Sequence, residues 1–303
     1  MFAERCALKG TSECGSIARD RPKERKRTMP TVTLKTGIDI YYQVEGDGDP
    51  LLLIMGTAAD HTTWSAQVEA YRDHYTVITY DARGTGMSTH PTDRSDYSMR
   101  ILADDASALL DHLGHDRAHV SGLSLGSATA QELALNHPER VATLQLHCTW
   151  GRSDEWFVRM IDSMEFAIVH DDPDMYIRTA LLWVASPTFI NDQPEDVAAF
   201  ERGFILENPN PPSREGMLGH FHADKNHDAL DRLSSIAVPT LITSGDVDWQ
   251  VPTRYGLEVQ ERIPGSTLHV FRGPHSSHIA FHEMADEWNR FTLGWLNRQA
   301  TIT

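Results

Sequence analysis

Ser124 has the neighbours that are typical of a nucleophile. It lies in Gly122-Leu123-Ser124-Leu125-Gly126, between a β-branched run and a helical run. If the centre of such a strand-to-helix turn is strained, the residues two positions away must be small, as Gly122 and Gly126 are. The turn would lift the hydroxyl to the N-terminal end of a helix, where developing negative charge is favoured. The alternative is a structural turn with a solvated serine.

The residues that could activate this serine follow it in the chain. A serine hydroxyl is a poor nucleophile unless a base removes its proton and an acid orients that base. Asp246 and Asp248 follow the apolar run "PTLITSG", and His275 and His278 follow "TLHVFRG". Either acid and either histidine suits the role by position alone. Together they predict nucleophilic attack on a carbonyl carbon.

The elements that must position these residues alternate between strand and helix. A hairpin is predicted at 31–46. Further strands are predicted at 51–55, 75–80, 118–123, 141–148, 239–245 and 267–273, and helices at 99–113, 125–137, 254–262 and 283–297. This alternation predicts an α/β fold, a doubly wound and mostly parallel sheet with helices on both faces. The serine and both loops should then meet at the carboxyl edge of the sheet.

Residues 150–235 interrupt this rhythm and lack a clear strand pattern. They are rich in Trp, Met and Phe, so we predict a helical cap inserted between two strands, some of whose side chains line an apolar pocket. The α/β core is then 30–149 and 236–303. Residues 1–29 carry eight Lys or Arg and four Asp or Glu without apolar periodicity, and we predict a disordered extension there.

These motifs resemble the α/β-hydrolase family, in its branch with a helical cap, over residues 30–299. The segment "GDVDWQVP" matches the family pattern G-x-x-D-x-x-x-P, which implies that Asp248 is the acid. The segment "GPHSSH" is similar to the family's G-H-x-x-H with a proline inserted, which implies that His275 is the base. The loop "DARGTGMS" at 81–88 is similar to a family loop whose glycines we expect to form a structural turn.

The same resemblance implies an oxyanion hole built from backbone N–H groups. One donor would be Leu125, directly after the nucleophile. The second would be Thr57, because the family has His-Gly where this chain has Met55-Gly56. The hydroxyl of Thr57 is a further candidate donor.

We therefore expect a serine hydrolase that cleaves a carboxylic ester or lactone of small to medium, largely apolar character through an acyl-enzyme. The resemblance implies no cofactor, and the sixteen histidines show no metal-binding signature. A C–C bond hydrolase or a cofactor-free perhydrolase would use the same triad. Epoxide and haloalkane hydrolases have an aspartate as the nucleophile. The serine at this position, Ser124, argues against both classes of enzyme. A ligand receptor derived from a hydrolase and a non-catalytic interaction protein are the alternatives from other classes.

Composition limits the classes of partner that this protein can bind. The net charge of −16 argues against nucleic acid and anionic membrane surfaces. The odd number of cysteines, Cys6, Cys14 and Cys148, fits a reducing cytoplasm better than a disulfide scaffold. We expect a small-molecule substrate, and the sequence leaves self-association open.

Overall fold

A computed structural model describes residues 30–299, and the extension predicted at 1–29 lies outside the described residues. The described chain forms one eight-stranded sheet in the order β1-β2-β4-β3-β5-β6-β7-β8. Its strands are β1 Thr31–Thr33, β2 Asp39–Glu45, β3 Pro50–Ile54, β4 Thr76–Tyr80, β5 Ala118–Leu123, β6 Val141–His147, β7 Thr240–Gly245 and β8 Thr267–Phe271.

The sheet is mostly parallel, as predicted. From β4 to β8 every neighbouring pair is parallel, whereas β1 pairs with β2 and β2 with β4 in antiparallel fashion. The first hairpin turns at Gly37, whose φ of 86° lies in the left-handed region. The central strands β5 and β7 are buried along their whole length, which explains their continuous apolar runs.

Eleven α-helices flank or cover the sheet within residues 30–299. They are α1 Ser65–Tyr71, α2 Met99–Leu113, α3 Leu125–Asn136, α4 Glu155–Val169, α5 Pro173–Val184, α6 Pro187–Asp192, α7 Pro194–Glu201, α8 Arg214–Lys225, α9 Thr253–Arg262, α10 Ala280–Glu283 and α11 Ala285–Leu296. Short 3₁₀ segments lie at His61–Trp64, Arg94–Asp96, Pro138–Arg140 and Leu230–Ser235, and a π-helical turn lies at Arg202–Leu206. In residues 30–299, every helix is too short or too polar to span a bilayer.

The last predicted helix, 283–297, corresponds to α11, which begins after Met284, whose φ of −133° is not helical. The short helix α10, which precedes it, was not predicted. The helix α1 was not predicted, because its seven residues carry too few apolar positions to show a period.

The helical insertion, residues 150–235, lies between β6 and β7. It contains α4 to α8 and contributes no strand to the described sheet. One hydrophobic cluster joins its buried side chains to the side of the sheet that faces it, and a second fills the opposite side. That the insertion is a separate domain stays a prediction.

The loop at 81–88 is held by a buried carboxylate. Asp81 accepts hydrogen bonds from the amide N–H groups of His61 and Met87 and contacts the His61 ring at 2.6 Å. A Cβ on Gly86 would lie 2.1 Å from Asp81 Oδ2. The glycine therefore serves the structural turn that the sequence indicated.

Candidate active site

Ser124 lies at the strained turn between β5 and α3. Its φ of 55° and ψ of −124° are rarely adopted by L-residues. Its amide N–H donates to the carbonyl of His147 at 2.9 Å, and its own carbonyl accepts from the amide N–H and hydroxyl of Ser127. The backbone on both sides of the serine is therefore fixed, and the strain is maintained by these contacts.

Three glycines make this turn sterically feasible. A Cβ on Gly122 would lie 2.2 Å from the carbonyl oxygen of Gly126, and a Cβ on Gly126 would lie 2.1 Å from that of Ile54. Gly56 approaches Ser124 itself, since a Cβ there would lie 3.2 Å from Ser124 Cβ. The loop after β3 thus contacts the serine directly, as an oxyanion loop must.

Asp248 and His278 form a buried acid–base pair. His278 Nδ1 lies 2.9 Å from Asp248 Oδ2, and the side chains are 5% and 0% exposed. Asp248 Oδ1 accepts hydrogen bonds from the amide N–H groups of Gln250 and Val251. Since Nδ1 is engaged by the carboxylate, Nε2 is the ring nitrogen left for a hydroxyl.

His275, the histidine expected from the resemblance, is not the partner of Asp248. Its Nδ1 lies 3.2 Å from Glu283 Oε2, and its side chain is 34% exposed. The expected pairing of His275 with Asp248 is therefore wrong for this structure, which brings His278 to the acid instead. The choice of Asp248 over Asp246 agrees with the geometry.

A tight turn in the loop after β8 explains why His278, and not His275, pairs with Asp248. Gly273 has a φ of 110°, and the amide N–H of Ser276 donates back to its carbonyl. The Ser276 hydroxyl donates to Asp246, and a Cβ on Gly245 would lie 1.9 Å from the Ser276 carbonyl oxygen. Since this segment is pressed against the end of β7, the next residue that can reach the acid is the second histidine.

Glu283 is a positioning residue that the sequence analysis missed. Its carboxylate accepts from the hydroxyl of Ser277 at 2.7 Å and contacts His275, both in the histidine loop. It also accepts from the amide N–H and hydroxyl of Ser186, which caps α6 in the helical insertion. Its position five residues after His278 carried no signal, because its partner Ser186 lies almost a hundred residues away in the chain.

The oxyanion role expected of the Thr57 and Leu125 amides stays a prediction. Neither N–H donates to an acceptor within residues 30–299. Thr57 lines the same cavity as Ser124, and Leu125 is the first residue of α3. The Thr57 hydroxyl, however, donates to Asp224 Oδ2 at 2.7 Å. It is therefore engaged elsewhere and is not a further oxyanion donor in this structure.

Helix α8 of the insertion holds the loop that carries Thr57. His220 Nδ1 accepts from the amide N–H of Ala58 at 3.0 Å, while Nε2 donates to the carbonyl of Arg83 at 2.8 Å. These two partners require the neutral Nε2–H tautomer, and burial lowers the pKa of His220 to about 4. Asp224, one turn later, binds Thr57, and burial raises its pKa to about 7. The helix therefore contacts two consecutive residues of the oxyanion loop.

A cavity of about 360 Å³ joins these groups, and Ser124 and His278 belong to its wall. This volume is typical of a small-molecule site. Most of the rest of the wall is apolar, and many of its apolar side chains come from the insertion, including Met164, Tyr176, Ile177, Leu181, Phe204 and Phe221. No lysine or arginine is among the described residues that line it.

Two clusters among residues 30–299 have the donor types of a metal site. Cys148, Asp248 and His278 form one, and Asp60, His61 and Asp81 form the other. In the first, burial and the nearby Asp248 raise the pKa of the Cys148 thiol, which disfavours the thiolate that binds metals. In both clusters a histidine Nδ1 is already engaged by a carboxylate. Hydrogen bonding accounts for these contacts, and we assign no metal.

Comparison with known proteins agrees with this geometry. Residues 49–284 match the model of the α/β-hydrolase fold family. A putative carbamate hydrolase, RutD, from Azorhizobium caulinodans is 31% identical over 259 residues, which cover 85% of this chain and 94% of the relative.

Solved structures show the same architecture. A hydrolase from Pseudomonas aeruginosa PA01 superposes with a TM-score of 0.80 at 26% identity, covering 90% of this chain and 99% of that one. Est816, described as an enzyme that degrades N-acyl homoserine lactones, superposes with a TM-score of 0.73 at 27% identity, covering 88% and 99%.

The family match spans more than three quarters of the sequence. It includes the turn at Ser124, Asp248 after β7 and His278 after β8, which follow the order Ser, Asp, His that is typical of this family. The chain belongs to the α/β-hydrolase family.

Proposed function

We propose that this protein is a serine hydrolase that cleaves a carboxylic ester or lactone, of small to medium size and largely apolar character, through an acyl-enzyme. The observation that carries the proposal is the shared cavity. Ser124 and His278 line it, and Asp248 orients His278 from behind. This is the arrangement that acyl transfer by serine requires.

The residues around Ser124 divide the steps of the proposed reaction among them. His278 Nε2 takes the proton of Ser124 as Oγ attacks the substrate carbonyl, and Asp248 stabilises the imidazolium that forms. The N–H groups of Thr57 and Leu125 bind the oxyanion. His278 then protonates the leaving alcohol. Water, activated by the same histidine, releases the acid and restores Ser124.

The cavity wall supports an uncharged and largely apolar substrate. Aromatic, Met and aliphatic side chains from the insertion and from the α/β core provide most of it, and no lysine or arginine lies among its described residues. An anionic group would therefore lose its hydration without gaining a partner of opposite charge. A volume of about 360 Å³ suits an acyl chain of short to medium length.

A carbamate is the second candidate substrate. It is favoured by the similarity, at 31% identity, to a relative named as a putative carbamate hydrolase. Carbamates and esters both present a carbonyl carbon bonded to a leaving oxygen, so the same nucleophile and oxyanion donors serve both. The two candidates differ only in the atom on the other side of the carbonyl.

The test is a panel of 4-nitrophenyl esters from acetate to octanoate, with several lactones, assayed on wild type and Ser124→Ala. We expect turnover that depends on Ser124 and is greatest at short to medium chain length. Labelling by a fluorophosphonate should also be lost in the variant. Labelling without ester or lactone turnover would favour C–C bond hydrolysis. Neither labelling nor turnover would overturn the proposal and favour a receptor or an interaction protein.

A further inference from the structure

The carboxylate of Glu283 is buried and is shared between two segments of the chain. Its side chain is 0% exposed. Oε1 accepts from the amide N–H of Ser186 at 2.8 Å and from the hydroxyl of Ser277 at 2.7 Å. Oε2 accepts from the hydroxyl of Ser186 at 2.5 Å and contacts His275 Nδ1 at 3.2 Å. Because a buried charge is stable only when it is hydrogen-bonded, both serines are fixed against this one group.

The two serines belong to different parts of the molecule. Ser186 lies in the helical insertion, between α5 and α6, and its Oγ also accepts from the amide N–H of Phe189. Ser277 lies in the loop after β8, directly before His278. Both serines are fully buried. Two hydrogen bonds therefore connect the insertion to the residue before the histidine.

The residue after the histidine is held by the same segment of the insertion. The amide N–H of Ile279 donates to the carbonyl of Val184 at 3.3 Å. The main chain of His278 is thus flanked on each side by a residue that is tied to positions 184–186. Val184 is also the last residue of α5 and lines the cavity. One segment of the insertion therefore forms part of the cavity wall and holds the histidine loop.

We propose that Ser186 of the insertion, acting through Glu283, positions His278 for proton transfer. The inference rests on the proposed function, in which His278 is the base. The insertion then does more than cover the cavity, since it supports the group that takes the proton of the nucleophile. A small displacement of a base slows proton transfer, while the apolar wall that binds the substrate is retained. Loss of the contact should therefore lower kcat more than it raises KM.

The test weakens this connection from each end. Ser186→Ala deletes the hydroxyl donor on the insertion, and Ser277→Ala deletes the donor on the histidine loop. With 4-nitrophenyl butanoate, each variant should lower kcat about fivefold or more and change KM less than about twofold. The rate of labelling by a fluorophosphonate should fall by a similar factor, because that reaction also needs the base. Ser186→Thr keeps the hydroxyl and should retain a kcat close to that of wild type.

The double variant distinguishes one connection from two separate defects. If both serines act through Glu283, breaking the second hydrogen bond has little effect once the first is broken. The kcat of Ser186→Ala/Ser277→Ala should therefore lie within about twofold of the lower single variant. Separate defects would instead multiply to a loss of about 25-fold or more, and that result would overturn the inference.

The matched control for the loss of a helix cap is Asp172→Ala. Asp172 caps α5 of the same insertion by accepting from the amide N–H of Met175 at 2.9 Å. This variant should lower the Tm as Ser186→Ala does, but it should leave kcat and the labelling rate close to wild type. If Ser186→Ala is insoluble, the comparison of Ser277→Ala with Ser277→Thr repeats the test from the histidine loop.

The outcomes separate this inference from the proposed function. A kcat close to wild type in Ser186→Ala and Ser277→Ala, or an equal loss of kcat in Asp172→Ala, would overturn the role of Ser186. Turnover by the wild type that persists in Ser124→Ala would instead overturn the proposed function.

Discussion

At the scale of single residues, the contact between Asp248 and His278 is the basis for proposing His278, and not His275, as the base. Replacing His278 with Ala should lower kcat about 10⁴-fold or more, because the base that activates Ser124 is lost. His275→Ala is the matched control from the same loop. It loses only a partly exposed contact with Glu283, so kcat should change less than about tenfold. Both variants are assayed with 4-nitrophenyl butanoate, and the opposite ranking would contradict the assignment.

At the scale of elements, the contact between β3 and the start of α3 is the tightest constraint on the nucleophile turn. Gly126→Ala should lower the free energy of unfolding by about 3 kcal/mol or more, since its Cβ would lie 2.1 Å from the carbonyl oxygen of Ile54. Gly294→Ala is the control in another helix, where the nearest atom lies 3.7 Å away. The free energy of unfolding of Gly294→Ala should be about 0.5–1 kcal/mol higher than that of the wild type. Urea unfolding measures both, and equal stabilities would contradict this explanation.

The contact between α8 and the oxyanion loop is the second constraint at this scale. His220→Ala leaves the N–H of Ala58 and the carbonyl of Arg83 without their partner. The free energy of unfolding should fall by about 2–4 kcal/mol. Because the loop also carries Thr57, kcat should fall about 10- to 100-fold while KM changes little.

The control for this helix is His222→Ala, whose contacts are made with Asn226 of the same segment. It should leave both kcat and stability close to wild type. If His220→Ala lowered stability but not kcat, the helix would support the fold without positioning the oxyanion loop.

At the scale of the whole molecule, buried titratable groups make stability depend on pH. Burial lowers the pKa of His147 to about 3 and those of His220 and His227 to about 4, against about 6.5 in an unfolded chain. Between about pH 4 and 6.5 the unfolded chain binds protons that these histidines exclude, so stability falls as the pH falls. Asp224 has the opposite effect on the pH dependence of stability. Its pKa is raised to about 7, so the folded carboxyl keeps a proton that the unfolded one releases above about pH 3.9.

On acidification the three histidines lower the stability and the one carboxyl raises it, so the net effect is a loss of stability. These four groups should make the protein about 3 kcal/mol less stable at pH 5 than at pH 7, as measured by urea unfolding. Asp224→Asn removes the opposing group, so this variant should lose more stability than the wild type between pH 7 and pH 5. Equal stability of the wild type at both pH values would contradict the burial of these histidines in neutral form.

Local patterns were sufficient to predict much of the fold. The bounds of β5 and α2 agree with the prediction residue for residue, because a fully buried strand and an amphipathic helix impose their own periods on the sequence. The turn at Ser124 was predictable for a related reason. Its steric demands fall on Gly122 and Gly126, which are neighbours in the chain. The choice of Asp248 came from the family pattern, which is also local.

What the sequence could not determine depends on segments that meet only after folding. The choice of His278 over His275 follows from the packing of Ser276 against Gly245 and Asp246, about thirty residues away in the chain. The support of Thr57 by α8 likewise joins positions more than 160 residues apart. Periodicity reports how one element is buried, whereas these contacts depend on how loops from different strands approach each other. Tertiary packing sets that approach. It therefore determined that His278 pairs with Asp248, that Asp224 engages the Thr57 hydroxyl and that Gln250 Oε1 has no partner among residues 30–299.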